Sequence, residues 1–279
     1  MVISQKIFSL IIVLIFLCLP YSIKSQDNQI RIDTIFTPTT RVIKIVTVRT
    51  IPKFVLEFNA SYDAGALELS AHNGGFTASD FIAGKSYCAR NGFGFNLTGK
   101  LPMGKKGKFW LDVVTGYTKF QSNLIVKNDS DGSVKYNSIN GGVGAEYNFT
   151  PYHKLNYYIG LNLLISAISG KAENLKEPDS SRINVTINSS LRIGYTFFIG
   201  MGYALDKNFG LNLGIRFTHA NLLLKQTQEP TNSNTVTILN DYSSDPHITY
   251  SGWKQFAYAS AYLGMSYYFG VKEKKYKLP

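Results

Sequence analysis

The chain has 279 residues, a formal net charge of +11, 14% aromatic residues, two cysteines and four histidines. So few cysteines exclude a disulfide-stapled secreted domain, and the scattered histidines show no metal-ligand spacing, so neither a metal nor another cofactor is expected. The positive charge does not indicate nucleic-acid binding, because the lysines concentrate in residues 103–108 and 272–277 without interleaved aromatic side chains.

Residues 1–25 have the pattern of a secretory signal peptide. A short positive start at Lys6 precedes the apolar stretch IFSLIIVLIFLCLP, and the chain then turns polar towards Ser25, where cleavage is predicted. The apolar stretch is shorter than the roughly 20 residues of a membrane anchor. We therefore expect export, which removes Cys18 and leaves Cys88 as the remaining cysteine.

Residues 26–53 form an N-terminal extension before the first strong strand pattern. Its centre, RVIKIVTVRT, alternates between apolar and other residues but carries Arg41, Lys44 and Arg49. This pattern is compatible with a periplasmic tether, an extra edge strand or a plug inside a barrel. A poorly ordered periplasmic tether is the prediction.

Eight later segments alternate between large apolar residues and small or polar ones, which is the period of a β-strand. Most are longer than the five or six residues of an ordinary strand, and about 9 to 11 residues are enough to cross a bilayer at a tilt. The segment lengths therefore favour a barrel that spans a membrane. The segments are about 54–67, 90–101, 109–121, 135–150, 154–168, 189–205, 208–223 and 254–270.

Short and long connections between these segments alternate strictly. PMGKKGK, PYH and DKN join the second to the third, the fourth to the fifth, and the sixth to the seventh segment. This alternation predicts an all-β fold, an eight-stranded antiparallel up-and-down transmembrane β-barrel over 54–270, with short periplasmic turns and long extracellular loops. The long connections are roughly 68–89, 122–134, 169–188 and 224–253.

The large apolar residues share one face of each segment. In residues 202–217, for example, Leu211 and Leu213 alternate with Asn212. The interior of an eight-stranded barrel cannot hold so many large side chains, so the apolar face is predicted to contact lipid and the small polar face to fill the lumen. The apolar parity of the sixth segment continues through RINVTIN, residues 182–188, which predicts a strand pair that projects above the membrane.

Several stretches resemble the strand–turn–strand units of small OmpA/OmpX-like outer-membrane β-barrel proteins: INGGVGAEYNFTPYHKLNYYIGLNL, YTFFIGMGYALDKNFGLNLGIRF and the Tyr-rich SAYLGMSYYFG. The resemblance covers residues 54–270 and contains no catalytic signature. It implies residence in the outer membrane of a Gram-negative-type envelope, with the lipid bilayer as partner. The peptidoglycan-binding domain of OmpA-like proteins is not expected here, and residues 271–279 are interpreted as a basic C-terminal tail.

Five charged residues on the inward parity are the candidate site. Glu57, Asp112 and Glu146 each fall about three residues from the short-turn rim, with Lys100 near the same rim and Arg216 about eight residues above it. Because an unpaired buried charge is costly, we expect these residues to form one ionic network in the lumen. The network is interpreted as structural filling that closes the lumen, with a gate or proton path as the alternative.

The favoured function is a non-enzymatic outer-membrane barrel that serves envelope structure or surface contact through its extracellular loops. Residues 169–188 and 224–253 are the candidate partner-binding loops, because projecting strands offer edges to a partner strand. A narrow channel and a soluble lipocalin-like ligand carrier are the alternatives. A lipid hydrolase is disfavoured, since Asn221 follows His219 at the position where lipid A deacylases carry a serine.

Overall fold

The contacts of the computed structural model separate two units, one formed by residues 1–49 and 273–279 and the other by residues 50–272. The predicted signal peptide lies outside the residues that the structure describes, so its cleavage stays a prediction. The described residues are 33–35, 43–70, 77–104, 106–126, 129–151, 153–177, 181–226, 236–242 and 252–278.

Strands dominate the described part of the chain. The predicted segments agree with the long strands within about two residues at the periplasmic ends, and several strands extend further at the other end. No helix among these residues has the length and hydropathy that a membrane crossing requires. The elements are β1 (Asp33–Ile35), β2 (Ile43–Arg49), β3 (Phe54–Ala66), a 3-10 turn (Leu67–Leu69), α1 (Ala78–Ile82), β4 (Asn91–Met103), β5 (Phe109–Val126), β6 (Asp129–Asn148), β7 (Leu155–Lys176), β8 (Arg182–Ala204), β9 (Phe209–Leu223), β10 (Val236–Ile238), β11 (Ala257–Phe269) and β12 (Glu273–Leu278).

Eight strands of the larger unit close into a ring. Each strand from β3 to β8 pairs antiparallel with the next, and β11 pairs with both β9 and β3. The short β10 adds a parallel pairing to the upper part of β8. Closure gives each of the eight strands a hydrogen-bonded neighbour on both sides, which hydrocarbon requires of the spanning part. The predicted eight-stranded up-and-down barrel is confirmed.

The outward face of the ring is apolar and the inward face is polar. Phe93 and Leu163 point outward and are 64% and 63% exposed, whereas Asn162 and Thr196 point inward and are buried. A continuous apolar surface of this extent is stable in lipid and not in water. The soluble carrier needs the opposite arrangement, with an apolar lumen, and is incompatible with these faces.

Two of the predicted long loops consist mostly of strand. β5 runs to Val126 and β6 begins at Asp129, while β7 runs to Lys176 and β8 begins at Arg182. Both hairpins therefore extend beyond the apolar band on the extracellular side. The predicted strand pair at 182–188 is present.

The side-chain parity predicted for residues 182–188 was wrong. Ile187 is buried, and Ile183 and Val185 pack against buried apolar residues inside the extracellular end of the barrel. The pairing of β7 with β8 shifts register between Ile168 and Gly170. Such a bulge reverses the face to which the following side chains point, so the apolar residues above it turn inward.

An apolar core fills the extracellular end of the barrel and is called the extracellular core below. Phe256 lies at its centre, with its ring centroid 5.2 Å from that of Tyr87, 5.7 Å from Tyr136 and 5.8 Å from Phe120. Edge-on aromatic contacts of this kind are typical of protein interiors. The core comprises Leu69, Ala78, Tyr87, Cys88, Ala89, Phe120, Leu124, Val134, Tyr136, Ile168, Ala172, Leu175, Ile187, Ala220, Leu239, Phe256 and Tyr258.

The smaller unit contains a three-stranded sheet in the order β1–β2–β12. β2 pairs antiparallel with both neighbours, for example Ile45 with Asp33 and with Lys277. The expectation of a poorly ordered tether at 26–53 was wrong for β1 and β2, because the alternating β-branched residues of β2 favour a strand despite their charged neighbours. The basic tail supplies the third strand, and the periplasmic location of both segments stays a prediction.

Candidate functional site

A charged group lies in the lumen near the periplasmic rim and is called the rim cluster: Glu57, Lys100, Asp112 and Glu146. The Lys100 Nζ is 3.0 Å from the Glu57 Oε1 and 2.5 Å from the Glu146 Oε2, and all three side chains are buried. They project inward from β3, β4 and β6. The ion pairs compensate part of the desolvation cost of these charges.

Asp112 belongs to the rim cluster but forms no direct contact with its other members. It lies opposite Lys100 in the β4–β5 register and is fully buried, and neither of its carboxylate oxygens has a hydrogen-bond partner among the described residues. Three carboxyl groups therefore surround one ammonium group. The structure brings together four of the five predicted site residues.

Arg216 lies above the rim cluster and forms no ion pair with it in the described chain, so its membership of the predicted network stays a prediction. Its guanidinium stacks on the ring of Tyr262 at 4.4 Å. In register it lies opposite Ser260, which lies opposite Asp63 on the next strand. Asp63 is thus the nearby acidic residue that the sequence analysis missed, although it shares the inward parity of Glu57 six residues earlier.

A pair of tyrosines connects the two charged levels. The centroid of the Tyr158 ring lies 4.6 Å from the Lys100 Nζ in a cation–π contact. The ring of Tyr262 makes the same kind of contact with Arg216. The two phenol oxygens are 3.2 Å apart and share a hydrogen bond. Gly200 and Gly214 leave the space for these rings, because a Cβ at either position would collide with a tyrosine.

A polar cavity of about 50 Å³ lies between the walls of the lumen. It is large enough for roughly three water molecules. The buried side-chain oxygens of Asn59 and Asn162 line this region without a protein partner in the described chain. Water in the cavity would satisfy them. Among the described residues, no group of three or more His, Cys, Asp or Glu side chains has the arrangement of a metal site.

A second buried polar group closes the extracellular end and is called the cap network: Tyr87, Arg192, Asn221 and Asp241. The Arg192 Nε and Nη2 donate to the Asp241 Oδ2 at 2.9 and 2.6 Å, and both side chains are at most 1% exposed. The Tyr87 hydroxyl and the Asn221 Nδ2 each donate to the Asp241 Oδ1 at 2.7 Å. The Asp241 carboxylate is therefore fully satisfied.

The sequence patterns did not predict the cap network. Asp241 and Tyr87 lie in long connections without periodicity, so no pattern indicated that they point inward. The one available signal was Arg192 itself, because a buried guanidinium on the inward parity requires a carboxylate partner.

His219 and Asn221 do not form a hydrolytic site. The His219 Nε2 lies 2.6 Å from the Gln255 Oε1, and Asn221 is buried in the cap network, where its Oδ1 accepts from the Phe256 N at 2.6 Å. Cys88 is fully buried, and burial raises the pKa of its thiol to about 11. A thiol that stays protonated at neutral pH is a poor nucleophile.

Comparisons with known proteins give a match to one family model, over less than half of the chain. Residues 108–238 match the family model described as Opacity family porin protein. A sequence search finds no match among curated proteins. Three solved structures are similar to the chain: Neisserial surface protein A (15% identity, 79% of this chain and 99% of that chain, TM-score 0.43), Ail, the attachment invasion locus protein of Yersinia pestis (10%, 78% and 99%, 0.36), and outer membrane protein OprG from Pseudomonas aeruginosa (11%, 79% and 97%, 0.40).

The closed ring of eight antiparallel strands, its apolar outer face and the match over residues 108–238 agree on one class of protein. The chain is an eight-stranded transmembrane β-barrel that is similar, over residues 108–238, to the Opacity family porin proteins.

Proposed function

We propose that this protein is a closed, non-enzymatic barrel that serves envelope structure and surface contact through its extracellular loops. The extracellular core is the observation that supports the proposal. Its packed aromatic side chains and the Arg192–Asp241 pair fill the mouth through which a solute would enter. The rim cluster fills the opposite end, with Lys100 held between Glu57 and Glu146.

The same core supports a role in contact because it holds the extracellular hairpins in place. Residues 122–126 of β5 pair with β6 but extend beyond the end of β4, whose Asn91 lies opposite Gln121. In the described chain, no strand other than β6 pairs with these residues, so one edge of β5 is free here. An exposed edge of this kind accepts a partner strand at little conformational cost. Residues 169–188 and 224–253 are the further candidate contact regions.

Retention of cells that display the protein on protein-coated and polysaccharide-coated surfaces tests the contact role. Exchange of residues 169–188 for a short turn should abolish retention, and Ile125→Lys, which adds a charge at the free edge without touching the core, should weaken it. Replacement of the periplasmic turn 205–208 by another short turn is the matched control. Equal retention of all variants, with correct folding shown by the gel shift between unboiled and boiled samples, would contradict a contact role.

A narrow channel is the second candidate, and the water-sized cavity beside Arg216 favours it. Planar-bilayer recordings distinguish the two candidates. The closed barrel should show no steady conductance. Single-channel openings that disappear in Glu146→Ala and Arg216→Ala would support a channel gated by the buried charges.

A further inference from the structure

The ring of the barrel closes where β3 meets β11, the two ring strands that lie farthest apart in the sequence. Thirteen residue pairs join them, from Phe54 opposite Phe269 to Ala66 opposite Ala257. The free-energy cost of bringing two chain segments together grows with the length of chain between them, and such pairings form slowly. This seam between β3 and β11 is therefore the most demanding pairing of the ring.

The pairing continues past the short-turn end of the seam. The Lys53 N donates to the Phe269 O at 2.8 Å, and the Thr50 N donates to the Lys272 O at 3.0 Å. The Lys272 N donates in turn to the Thr50 Oγ1 at 2.8 Å. Beyond these bonds, β2 and β12 form six further residue pairs. The two stretches of chain that form the seam thus pair with each other a second time.

The residues between the two ladders have a defined backbone. Gly270 has a φ of 73°, and a Cβ at this position would lie 2.9 Å from the Lys53 Cγ. The ring of Pro52 fixes its own φ, and the side chain of Ile51 lies over Gly107 in the turn between β4 and β5, where a Cβ would be 3.0 Å from the Ile51 Cδ1. Since these connections are short, formation of one ladder brings the two chain segments of the other close together.

We propose that β2 and β12 form a clasp that fastens the seam of the barrel. Once the clasp has formed, only a few residues of chain separate Phe54 and Phe269 from paired residues, so the seam closes at the low cost of a local pairing. After closure, the clasp keeps the two strand ends together whenever the end of the seam frays.

The composition of β12 suits a clasp that acts within one chain. β12 is an edge strand of the three-stranded sheet, and three of its six residues are lysines. Charged residues, lysine above all, discourage an edge strand from pairing with another molecule. The lysines therefore favour pairing with β2 of the same chain over association with a second chain.

Refolding of the full chain from urea into phosphatidylcholine vesicles, with the compact band of unboiled samples as the readout, tests the clasp. Lys274→Pro/Lys275→Pro removes a ladder donor whichever of the two N–H groups faces β2, because successive N–H groups of a strand point to opposite sides. This variant should form the compact band about tenfold more slowly than the unaltered protein and lose it in urea about tenfold faster, since six residue pairs contribute several backbone hydrogen bonds.

Lys274→Thr/Lys275→Thr is the matched control. It removes the same two charges but keeps residues that favour a strand, so it should fold and open like the unaltered protein. If the proline variant behaves like this control, whether both are unchanged or both are altered, pairing of β12 does not fasten the seam and the proposal is overturned.

A cross-link tests the clasp even if the proline variant does not fold. Val46→Cys/Tyr276→Cys, in a Cys18→Ala/Cys88→Ala background, places two cysteines opposite each other in the β2–β12 register. Oxidation should join them and slow the loss of the compact band at least about tenfold relative to the reduced sample. In Val46→Cys/Lys275→Cys, the second position belongs to the opposite face of the sheet, and no bond should form. Absence of the bond in the matched pair, or equal opening rates before and after oxidation, would overturn the proposal.

Discussion

The membrane-spanning part and the extracellular part of the barrel obey opposite rules along the same strands. On β8, Leu191 faces outward and is exposed to lipid, whereas Ile187, only four residues above it, faces inward and is buried. The bulge between them reverses the faces. The direction in which apolar side chains point is thus set by the surrounding medium, lipid below and water above, and one extra residue is enough to make the change.

The buried carboxylates differ between the two parts in the same way. Asp241 in the cap network accepts hydrogen bonds from Arg192, Tyr87 and Asn221. Asp112 in the lumen has no protein donor among the described residues. The extracellular part is therefore packed as a globular protein interior is packed, while the lumen leaves polar groups that water can reach. Four substitutions test this contrast.

The largest effect is expected from Lys100→Met in the rim cluster. Removal of the ammonium leaves Glu57 and Glu146 facing each other, with Asp112 nearby, in a buried site without a positive charge. Breaking a buried ion pair by removing one partner costs about 3 to 5 kcal/mol. The lost stability is measured as the free energy of unfolding in urea. The readout is the fraction of unboiled protein that migrates as the compact form on a gel.

Lys154→Met is the matched control for this substitution. Lys154 is exposed at the periplasmic rim, with its Nζ 4.8 Å from the ring of Tyr203. Loss of an exposed cation–π contact should cost no more than about 1 kcal/mol. If Glu57→Gln and Glu146→Gln are added to Lys100→Met, most of the lost stability should return, and a triple variant as unstable as the single one would show that packing and not charge is responsible.

The next effect is expected from Asp241→Ala in the cap network. The substitution leaves the buried Arg192 guanidinium without a carboxylate partner and removes the acceptor for the Tyr87 hydroxyl. We therefore expect the stability of the extracellular core to fall by about 3 kcal/mol. Cys88 is the readout, because its buried thiol should react with a maleimide only when the core opens. Labelling should become at least tenfold faster than in the unaltered protein.

Asp129→Ala is the control for Asp241→Ala. The Asp129 Oδ2 lies 4.0 Å from the Lys176 Nζ on the extracellular surface, and both side chains are exposed. An exposed pair contributes about 0 to 1 kcal/mol. Cys88 labelling in this variant should stay close to that of the unaltered protein, and acceleration equal to that of Asp241→Ala would argue against a specific seal.

A smaller difference separates two leucines of β7. Leu175 is fully buried in the extracellular core, and Leu163 is 63% exposed on the lipid-facing side. Leu175→Ala leaves a cavity and should lower the free energy of unfolding by about 2 to 3 kcal/mol. Leu163→Ala removes only lipid contact, at roughly 0.5 kcal/mol. Equal costs in urea unfolding would contradict the assignment of two different media to one strand.

The strands and their membrane faces could be predicted because they rest on local periodicity. The alternation in β9, for example, extends without interruption from Phe209 to Phe217. The inward turn of Ile187 could not be predicted, since a bulge inserts one residue without a sequence signal of its own. The rim cluster was predictable from parity and depth, whereas the contact of Arg216 with the ring of Tyr262, at a higher level in the lumen, depends on side-chain packing that parity does not reveal.

The cap network lay beyond sequence reasoning for a different reason. Tyr87 and Asp241 are 154 positions apart and belong to irregular segments, so only the folded loops bring the phenol and the carboxylate together. The opposite holds for Asp63: its spacing from Glu57 shows that it faces inward, and only its position near Arg216 was overlooked. Sequence patterns thus indicate which face a strand residue occupies, but not which loop residue will cover it.

The smallest effect is expected from Lys254→Met, because Lys254 should make the stability of the extracellular core depend on pH. Lys254 is buried beside the ring of Tyr87, and burial lowers its pKa from 10.5 to about 8, against the attraction of Asp241. Since its folded pKa lies below the unfolded value, the ammonium opposes folding below pH 8, and this penalty fades as the pH rises from about 8 towards 10.5. At pH 7, Lys254→Met should therefore be more stable than the unaltered protein by about 1 kcal/mol.

This advantage of Lys254→Met should shrink between pH 7 and pH 9.5. Burial also raises the pKa of the Cys88 thiol to about 11, against the attraction of Lys254, so the folded state loses stability between the ordinary thiol pKa and 11 by an amount that depends on Lys254. Both proteins therefore carry Cys88→Ala in this comparison, which isolates the contribution of Lys254. Urea unfolding at pH 7, 8 and 9.5 measures it, and an advantage that is constant or grows with pH would mean that the Lys254 amine is not held in a low-dielectric core.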